Sequence, residues 1–560
     1  MSTPEGPADS ATTTAVRPEP AQEPRPGGGD PRRARLLWLL LGAALVLLGA
    51  GAIVVSTAFD TDPEGKALGG NLPINPGARD PADTSSHNSP TLVRNPRDEA
   101  NLAVANRIDT PRFSCALQVS FDGGAHWSQI AVPVPPGEKL CYAPDATFGA
   151  DGTLYYSFVS LRGRANAPNA VWLVTSRDGG QTLSNPVRIG PLPPLSFHVR
   201  LVADPTTPRR LYVTWLEARD VALYKFTQPG NPIRSARSDD GGATWRATGR
   251  VSSPARQRAI APSPAVGPDG ELYVLYLDLG NDVLDYEGAH QGRGGPPAAD
   301  PWQLVLARSR DRGATWRESV VEDRLVPPER FVVFTPPFPS LAVDRDTGRV
   351  YAGFYDQRLG DADVWVWSLP GGGDRWAGPT RVNDTPQRDR TSQYLPRLSV
   401  APDGRLDVVY YDRRADRANV MNEVSLQSSF DQGTTFTPRI RMSDRSFDSR
   451  IGYGRERNLP DLGSRLGLVS TDRRALAVWS DTRAGTPTAP APAGPKAAAR
   501  AGKKQDLARA VVVFSDPPRL SGPVTWLLRV GGAALILAGL AVLATRALAA
   551  GRGGRRLIPG

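Results

Sequence analysis

The sequence predicts an all-β protein, a seven-bladed β-propeller flanked by two transmembrane helices, and three observations carry that prediction. A short pattern, Ser-x-Asp-x-Gly-x-Thr-Trp in its fullest form, recurs at a spacing near 60 residues. A second motif, an apolar strand, a tight turn and another strand, precedes the copies. The composition, 56 Gly and 54 Pro in 560 residues, suits many short strands and turns, with almost no helical periodicity between the two apolar ends.

The chain divides from its N-terminus as follows. Residues 1–35 are Pro- and Gly-rich and hold five acids and five bases, which reads as a disordered cytoplasmic tail. Residues 36–59 carry no formal charge, and 24 residues make about 36 Å of helix, enough to cross a hydrocarbon core of about 30 Å. A cleaved signal peptide is the alternative, but its apolar region is usually shorter. Arg32, Arg33 and Arg35 before the span, and Asp60, Asp62 and Glu64 after it, put the N-terminus in the cytoplasm. A second apolar stretch, 523–549, is followed by a basic tail, 550–560, which returns the chain to the same side. The region between the spans is therefore expected outside the cell membrane.

Residues 60–87 form a linker, of which 65–80 is a candidate ring-closing strand. The propeller covers 88–516, with units beginning near Ser89, Ala143, Val199, Ser263, Ser340, Leu395 and Pro460. Each unit reads as four short strands, and the seventh lacks a clear fourth. Six blades is the alternative, if a terminal unit is an incomplete extension. Residues 484–504 are a low-complexity insert, expected to be a flexible loop.

The hairpin copies are SFDGGAHW, SRDGGQTL, SDDGGATW, SRDRGATW and SFDQGTTF, with aspartates Asp122, Asp178, Asp240, Asp311 and Asp431 separated by 56, 62, 71 and 120 residues. A worn copy, SLPGGGDRW at Ser368, halves the last gap. The carboxylate accepts from backbone N–H groups of the turn, Gly supplies a positive φ, and the aromatic packs beneath. These residues resemble the Asp-box, or BNR repeat, of the sialidase-like propellers, over roughly residues 88–516. That superfamily contains sialidases and other glycoside hydrolases, sortilin-type receptors and photosystem II assembly factors. The resemblance implies a fold, with the five aspartates structural, and leaves activity open.

Composition limits the chemistry. The formal charge of +10 is concentrated at the ends: residues 523–560 hold five arginines and no acid, and the insert adds four bases. About +1 is left for the rest, so no nucleic-acid groove is implied. Two cysteines exclude a disulfide framework or a four-Cys zinc site. Cys115 and Cys141 are a candidate disulfide in an oxidising compartment, two separate buried thiols being the alternative. His87, His126, His198 and His290 lack metal-ligand spacing, and neither a G-x-S-x-G elbow nor a P-loop is present. No cofactor or metal is expected.

Strand alternation puts the boxes and the first turns on one face of the ring, and the starts of the first strands on the other. That second face receives Asp145, His198, Arg200, Arg397 and Asp461 as ligand-binding candidates near the axis. It also receives Glu217 with Arg219, Asp356 with Arg358, Asp412 with Arg414, and Asp481 with Arg483. Repetition favours inter-blade ion pairs for these over a unique site. The sialidase resemblance implies three arginines on a substrate carboxylate, a Tyr nucleophile assisted by a Glu, and an Asp acid/base. Arg200 and Arg397 suit two of the arginines and Arg94 fits the third poorly. Tyr394, Tyr411 and Tyr453 are candidate nucleophiles, but the sequence singles out no Tyr–Glu pair. The reading is a membrane-anchored, extracytoplasmic module that binds an envelope glycan or protein, with an exo-sialidase-type hydrolase as the alternative.

Overall fold

The structure is a computed structural model that describes residues 31–58, 62–80, 83–138, 140–163, 166–190, 192–219, 229–282, 300–327, 338–449, 451–452, 462–485, 504–515 and 522–553. Asp461, His290, Tyr453, the first 30 residues and most of the insert lie outside these. The chain forms two compact units, one of residues 63–515 and one of the two terminal segments.

The larger unit is a seven-bladed propeller. Its seven antiparallel sheets begin with the strands His87–Asn95, Cys141–Phe148, Ser196–Ala203, Ala259–Val266, Ser340–Val343, Gln393–Val400 and Gly467–Thr471. In every sheet the later strands pair outward in order, and blade 6 adds a two-residue strand, Phe447–Asp448, to its third. The seven first strands touch one another in a closed circuit, which makes them the lining of the axis. Second strands such as Leu272–Asp278, Val350–Asp356 and Leu406–Asp412 are buried along their whole length. They are covered on both faces by neighbouring sheets, so their sequences are continuous apolar runs rather than alternations. Fourth strands, such as Arg246–Arg250, are largely exposed.

Blade 7 is completed from the other end of the chain. Gly65–Pro73 runs antiparallel to Asp506–Phe514, from Gly65 opposite Phe514 to Pro73 opposite Ala508, and is the outermost strand of that sheet. Blades 1 and 2 are also joined covalently, Cys115 on a third strand bonding to Cys141 on the next first strand with Cα atoms 5.5 Å apart.

The hairpins share one hydrogen-bond pattern. At Ser238 the hydroxyl donates to Asp240 Oδ1 at 2.8 Å and accepts from Gly242 N–H at 2.8 Å. The carboxylate also accepts from the Thr244 N–H at 2.9 Å and its hydroxyl at 2.5 Å. Asp122, Asp178, Asp311 and Asp431 accept from the fourth residue on in the same way. Gly242, at φ 90°, leaves no room for a side chain, since a Cβ there would lie 2.1 Å from Leu173 of the preceding blade.

Three of the four acid-x-Arg pairs bridge blades. Arg358 joins Asp356 at 2.7 Å to Glu322 of blade 4 at 3.0 Å, and Arg414 joins Asp412 at 2.6 Å to Asp384 at 2.5 Å. Arg483 joins Asp481 at 2.7 Å and Asp444. Glu217 departs from the expectation and pairs with Arg234 of its own blade at 3.2 Å.

The second unit is a helix pair, α1 (Pro31–Ala58) and α2 (Gly522–Gly553), each long and apolar enough to cross a membrane. They run antiparallel and meet through glycines. A Cβ on Gly49 would lie 2.4 Å from the Gly532 carbonyl, and one on Gly539 would lie 2.7 Å from that of Gly42. Arg546 stacks on Trp38 at 4.9 Å.

Candidate functional site

The site grows from an irregularity repeated in the first strands. Pairing with the second strand slips between Asn88 and Thr91, Tyr142 and Asp145, Phe197 and Arg200, Ile260 and Ser263, and Tyr394 and Arg397. Each slip holds a residue at positive φ: Ser89 at 54°, Ala143 at 46°, His198 at 51°, Ala261 at 56° and Leu395 at 51°. Gly463, at 85°, takes the corresponding place in blade 7. Such bulges bend a strand and re-aim its side chains. Two residues after each one stand Thr91, Asp145, Arg200, Ser263, Arg397 and Arg465, and Ser340 is the counterpart in blade 5.

These residues stitch the blades together around the axis. Arg200 Nε donates to Asp145 Oδ2 at 2.8 Å, and the Leu201 N–H donates to the same oxygen at 2.9 Å. Arg465 donates to Thr91 Oγ1 at 2.8 Å and, through Nη2, to the Pro144 carbonyl at 2.6 Å. Ser340 Oγ accepts from the Leu398 N–H at 2.9 Å. Arg397 makes no hydrogen bond or ion pair among the described residues. It belongs to blade 6 but feels the charges of Arg200 in blade 3 and Asp145 in blade 2. Blades so separated can interact in this way only across the central opening.

Among the described residues the ring thus holds three guanidiniums and one carboxylate, a formal charge of +2. Burial, then repulsion from Arg200, hold Arg465 down at about 9, against the pull of Asp145. Burial and Arg200 hold Arg397 down at about 10. Arginine keeps its proton at physiological pH, so these depressions measure an unfavourable energy that a bound anion would relieve. Burial would raise Asp145, but Arg200 and Arg465 bring it below its ordinary value. Its Oδ1 has no hydrogen-bond partner among the described residues. His198 is neutral, burial having lowered it to about 3, and its Nδ1 accepts from the Ala261 N–H at 3.1 Å, which leaves the ring proton on Nε2.

Beside the ring, toward blade 2, lies a small cleft of about 40 Å³ that opens to solvent. Tyr142, Val159, Phe197, Val199 and Phe338 line it, with Arg107 and Arg465. Arg107 is neutralised by Asp109 at 2.6 Å and donates to Tyr142 Oη at 2.8 Å. Phe338 connects cleft and ring, with Arg200 over its face at 5.5 Å and His198 against its edge at 5.1 Å.

The structure therefore places Asp145, His198, Arg200 and Arg397 together. Arg465, Arg107, Tyr142 and Phe338 are additions to the sequence reading. Arg465 carried a usable signal, since Arg200, Arg397 and Arg465 are each followed by Leu in aligned first strands. Arg94 is not part of this cluster and pairs with Glu99 at 2.7 Å, near the box-side end of its strand. Tyr394 and Tyr411 are buried, donating to Asn422 Oδ1 at 2.6 Å and to the Ser480 carbonyl at 3.2 Å. Among the described residues two Tyr–Glu pairs occur, both in blade 4. Tyr273 donates to Glu271 at 2.5 Å and Tyr276 donates to Glu318, each glutamate being also held by arginine.

No protein-family model and no curated protein matches the sequence. Among solved structures, the chain is similar to a protein of unknown function from Dyadobacter fermentans, at 13% identity over 81% of this chain and 100% of that one, with a TM-score of 0.44. A phage phi92 endosialidase matches at 10% identity over 82% and 70%, TM-score 0.44. The Hadza microbial sialidase Hz136 matches at 13% identity over 68% and 71%, TM-score 0.39. Likenesses at this level bear on neither activity nor ligand.

Proposed function

We propose that this protein is a membrane-anchored, extracytoplasmic binding module whose axial arginines hold the acidic group of an envelope glycan or protein. The observation that carries this reading is that Arg200, Arg397 and Arg465 take the same position in three blades around the axis, Arg200 bonded to Asp145 and Arg465 to the neighbouring Pro144 carbonyl, with Asp145 the one carboxylate of the ring among the described residues. Buried like charges are costly, and a fold keeps them where a ligand completes the set. Arginine also suits bidentate recognition of carboxylate or phosphate. The five Asp-box hairpins are scaffold, their carboxylates spent on their own turns. The two apolar helices serve as the anchor, with the basic ends cytoplasmic.

Among the described residues neither Tyr–Glu pair contacts the axial arginines and both tyrosines are buried, which favours binding over hydrolysis. The test uses the full chain in lipid nanodiscs, titrated with acidic glycans and acidic peptides. Arg397→Ala removes a side chain that makes no hydrogen bond or ion pair among the described residues, so it should fold normally and weaken acid-ligand binding by about tenfold or more. Equal affinity for wild type and variant on every acidic ligand, or turnover of a fluorogenic sialoside, overturns the reading.

A further inference from the structure

We propose that the ligand is an organic carboxylate borne next to an apolar group, its acid on Arg465 and Arg397 and its apolar part in the cleft over blade 2. This rests on the anion-binding reading above and adds the chemistry of what surrounds the anion.

The hydroxyls of Ser196 and Ser89 and the guanidinium of Arg107 in the cleft are already used. Ser196 Oγ donates to the Pro193 carbonyl at 2.7 Å. Ser89 Oγ donates to Asn88 Oδ1 at 3.0 Å and accepts from the Ser464 N–H at 3.0 Å. Arg107 is spent on Asp109 and Tyr142. A sugar placed here would bring hydroxyl groups that find few partners, and each polar group buried unpaired is costly. The walls instead offer the faces and edges of Tyr142, Phe197 and Phe338 with the methyls of Val159 and Val199.

At the end nearest the ring stands Arg465, 9% exposed and lining the cleft, whose Nε and Nη2 are engaged while Nη1 makes no bond among the described residues. An anion reaching Nη1 would also approach Arg397, which takes the corresponding position beside the adjoining first strand and makes no hydrogen bond or ion pair among the described residues. Phe338, touched by Arg200, carries the apolar surface up to the charge. A small recess with a cation at one end and hydrocarbon along the other fits the part of an apolar substituent next to its acid better than a polyol.

Calorimetric titration of the full chain in nanodiscs tests this with five probes: N-acetylphenylalanine, its amide, octanoate, N-acetylneuraminic acid and inorganic phosphate. N-acetylphenylalanine or octanoate should bind at least tenfold more tightly than the amide, the sialic acid and phosphate. Preference between the first two separates a peptide-like acid from an acyl chain, and either upholds the proposal. Phe338→Ala should weaken the preferred probe at least fivefold and leave phosphate unchanged. Should Phe338→Ala misfold by thermal melting, Val199→Thr, nearly isosteric, reads the same apolar wall. Tighter binding of sialic acid or phosphate, or no loss in either wall variant, overturns this inference while leaving the anion site standing. Binding of no probe, with Arg397→Ala silent on acidic glycans and peptides as well, removes both.

Discussion

Removing the carboxylate of Asp145 and removing the guanidinium of Arg397 should change stability in opposite directions. Asp145→Asn strips the arginine ring of the one anion it holds among the described residues, and breaking a buried ion pair in this way costs about 3–5 kcal/mol. Arg397→Ala relieves a repulsion with Arg200 and Arg465 and breaks no bond, so its melting temperature should equal or exceed that of the wild type. Chemical denaturation of both variants at neutral pH and low salt checks the pair. A second residue, Asp506, titrates in the physiological range, burial having raised it to about 6. The proton-bound form is favoured in the fold, so stability should be greatest below the ordinary value of 3.8 and fall as pH rises to about 6. In Asp506→Asn that slope between pH 4 and 6 should vanish from thermal melts. At this scale much was legible: Arg200, Arg397 and Asp145 follow from position within the repeat. Arg465 lies in the same register as the other arginines, but the neighbouring Asp461 drew the reading. Phe338 was not legible, because its contacts with Arg200 and His198 depend on where blade 5 meets blade 3 across the axis.

The hairpin is the element that repeats most faithfully, and its acid sensitivity follows from its bonds. Burial and then hydrogen bonding act on Asp178 and Asp240, the donors winning and holding both at about 2, while at Asp311 the donors of Thr315 lead to the same value. Folded values below the ordinary 3.8 give stability that is present above pH 4 and lost as pH falls through about 2. These carboxylates are exposed, so solvent screening limits each to at most about 1 kcal/mol. Asp240→Asn should therefore flatten the acid limb of the melting curve slightly, without altering ligand binding. The hairpins were legible because a turn is local: Ser, Asp, Gly and Thr lie within seven residues of one another. The bulges were not, since Ser89, Ala143, His198, Ala261 and Leu395 share a backbone conformation and no side-chain type. Their common cause is the slip against the second strand, which appears only once the pairing is known.

For the whole molecule, the ring and the helix pair both depend on joining the two ends of the chain. Gly532→Leu would drive a side chain into the Gly49 carbonyl and force α1 and α2 apart. Cysteines introduced at Val46 and Gly539, beside one another in the pair, should crosslink in the wild-type background and lose that crosslink with Gly532→Leu. Seven blades could be counted from the period, but the helix contact could not be read, because glycines scattered through two uniformly apolar segments carry no directional signal. The closing strand was visible only as a deficit in the last unit, which Gly65–Pro73 fills. Its register has a mechanical meaning. Gly65 lies opposite Phe514, and beyond them the Ser515 N–H donates to the Glu64 carbonyl at 3.0 Å, so both linkers leave from the same corner of one strand pair. A tug transmitted through the two linkers together is shared by both strands as a doubled cord, whereas a pull on one alone would peel them apart bond by bond.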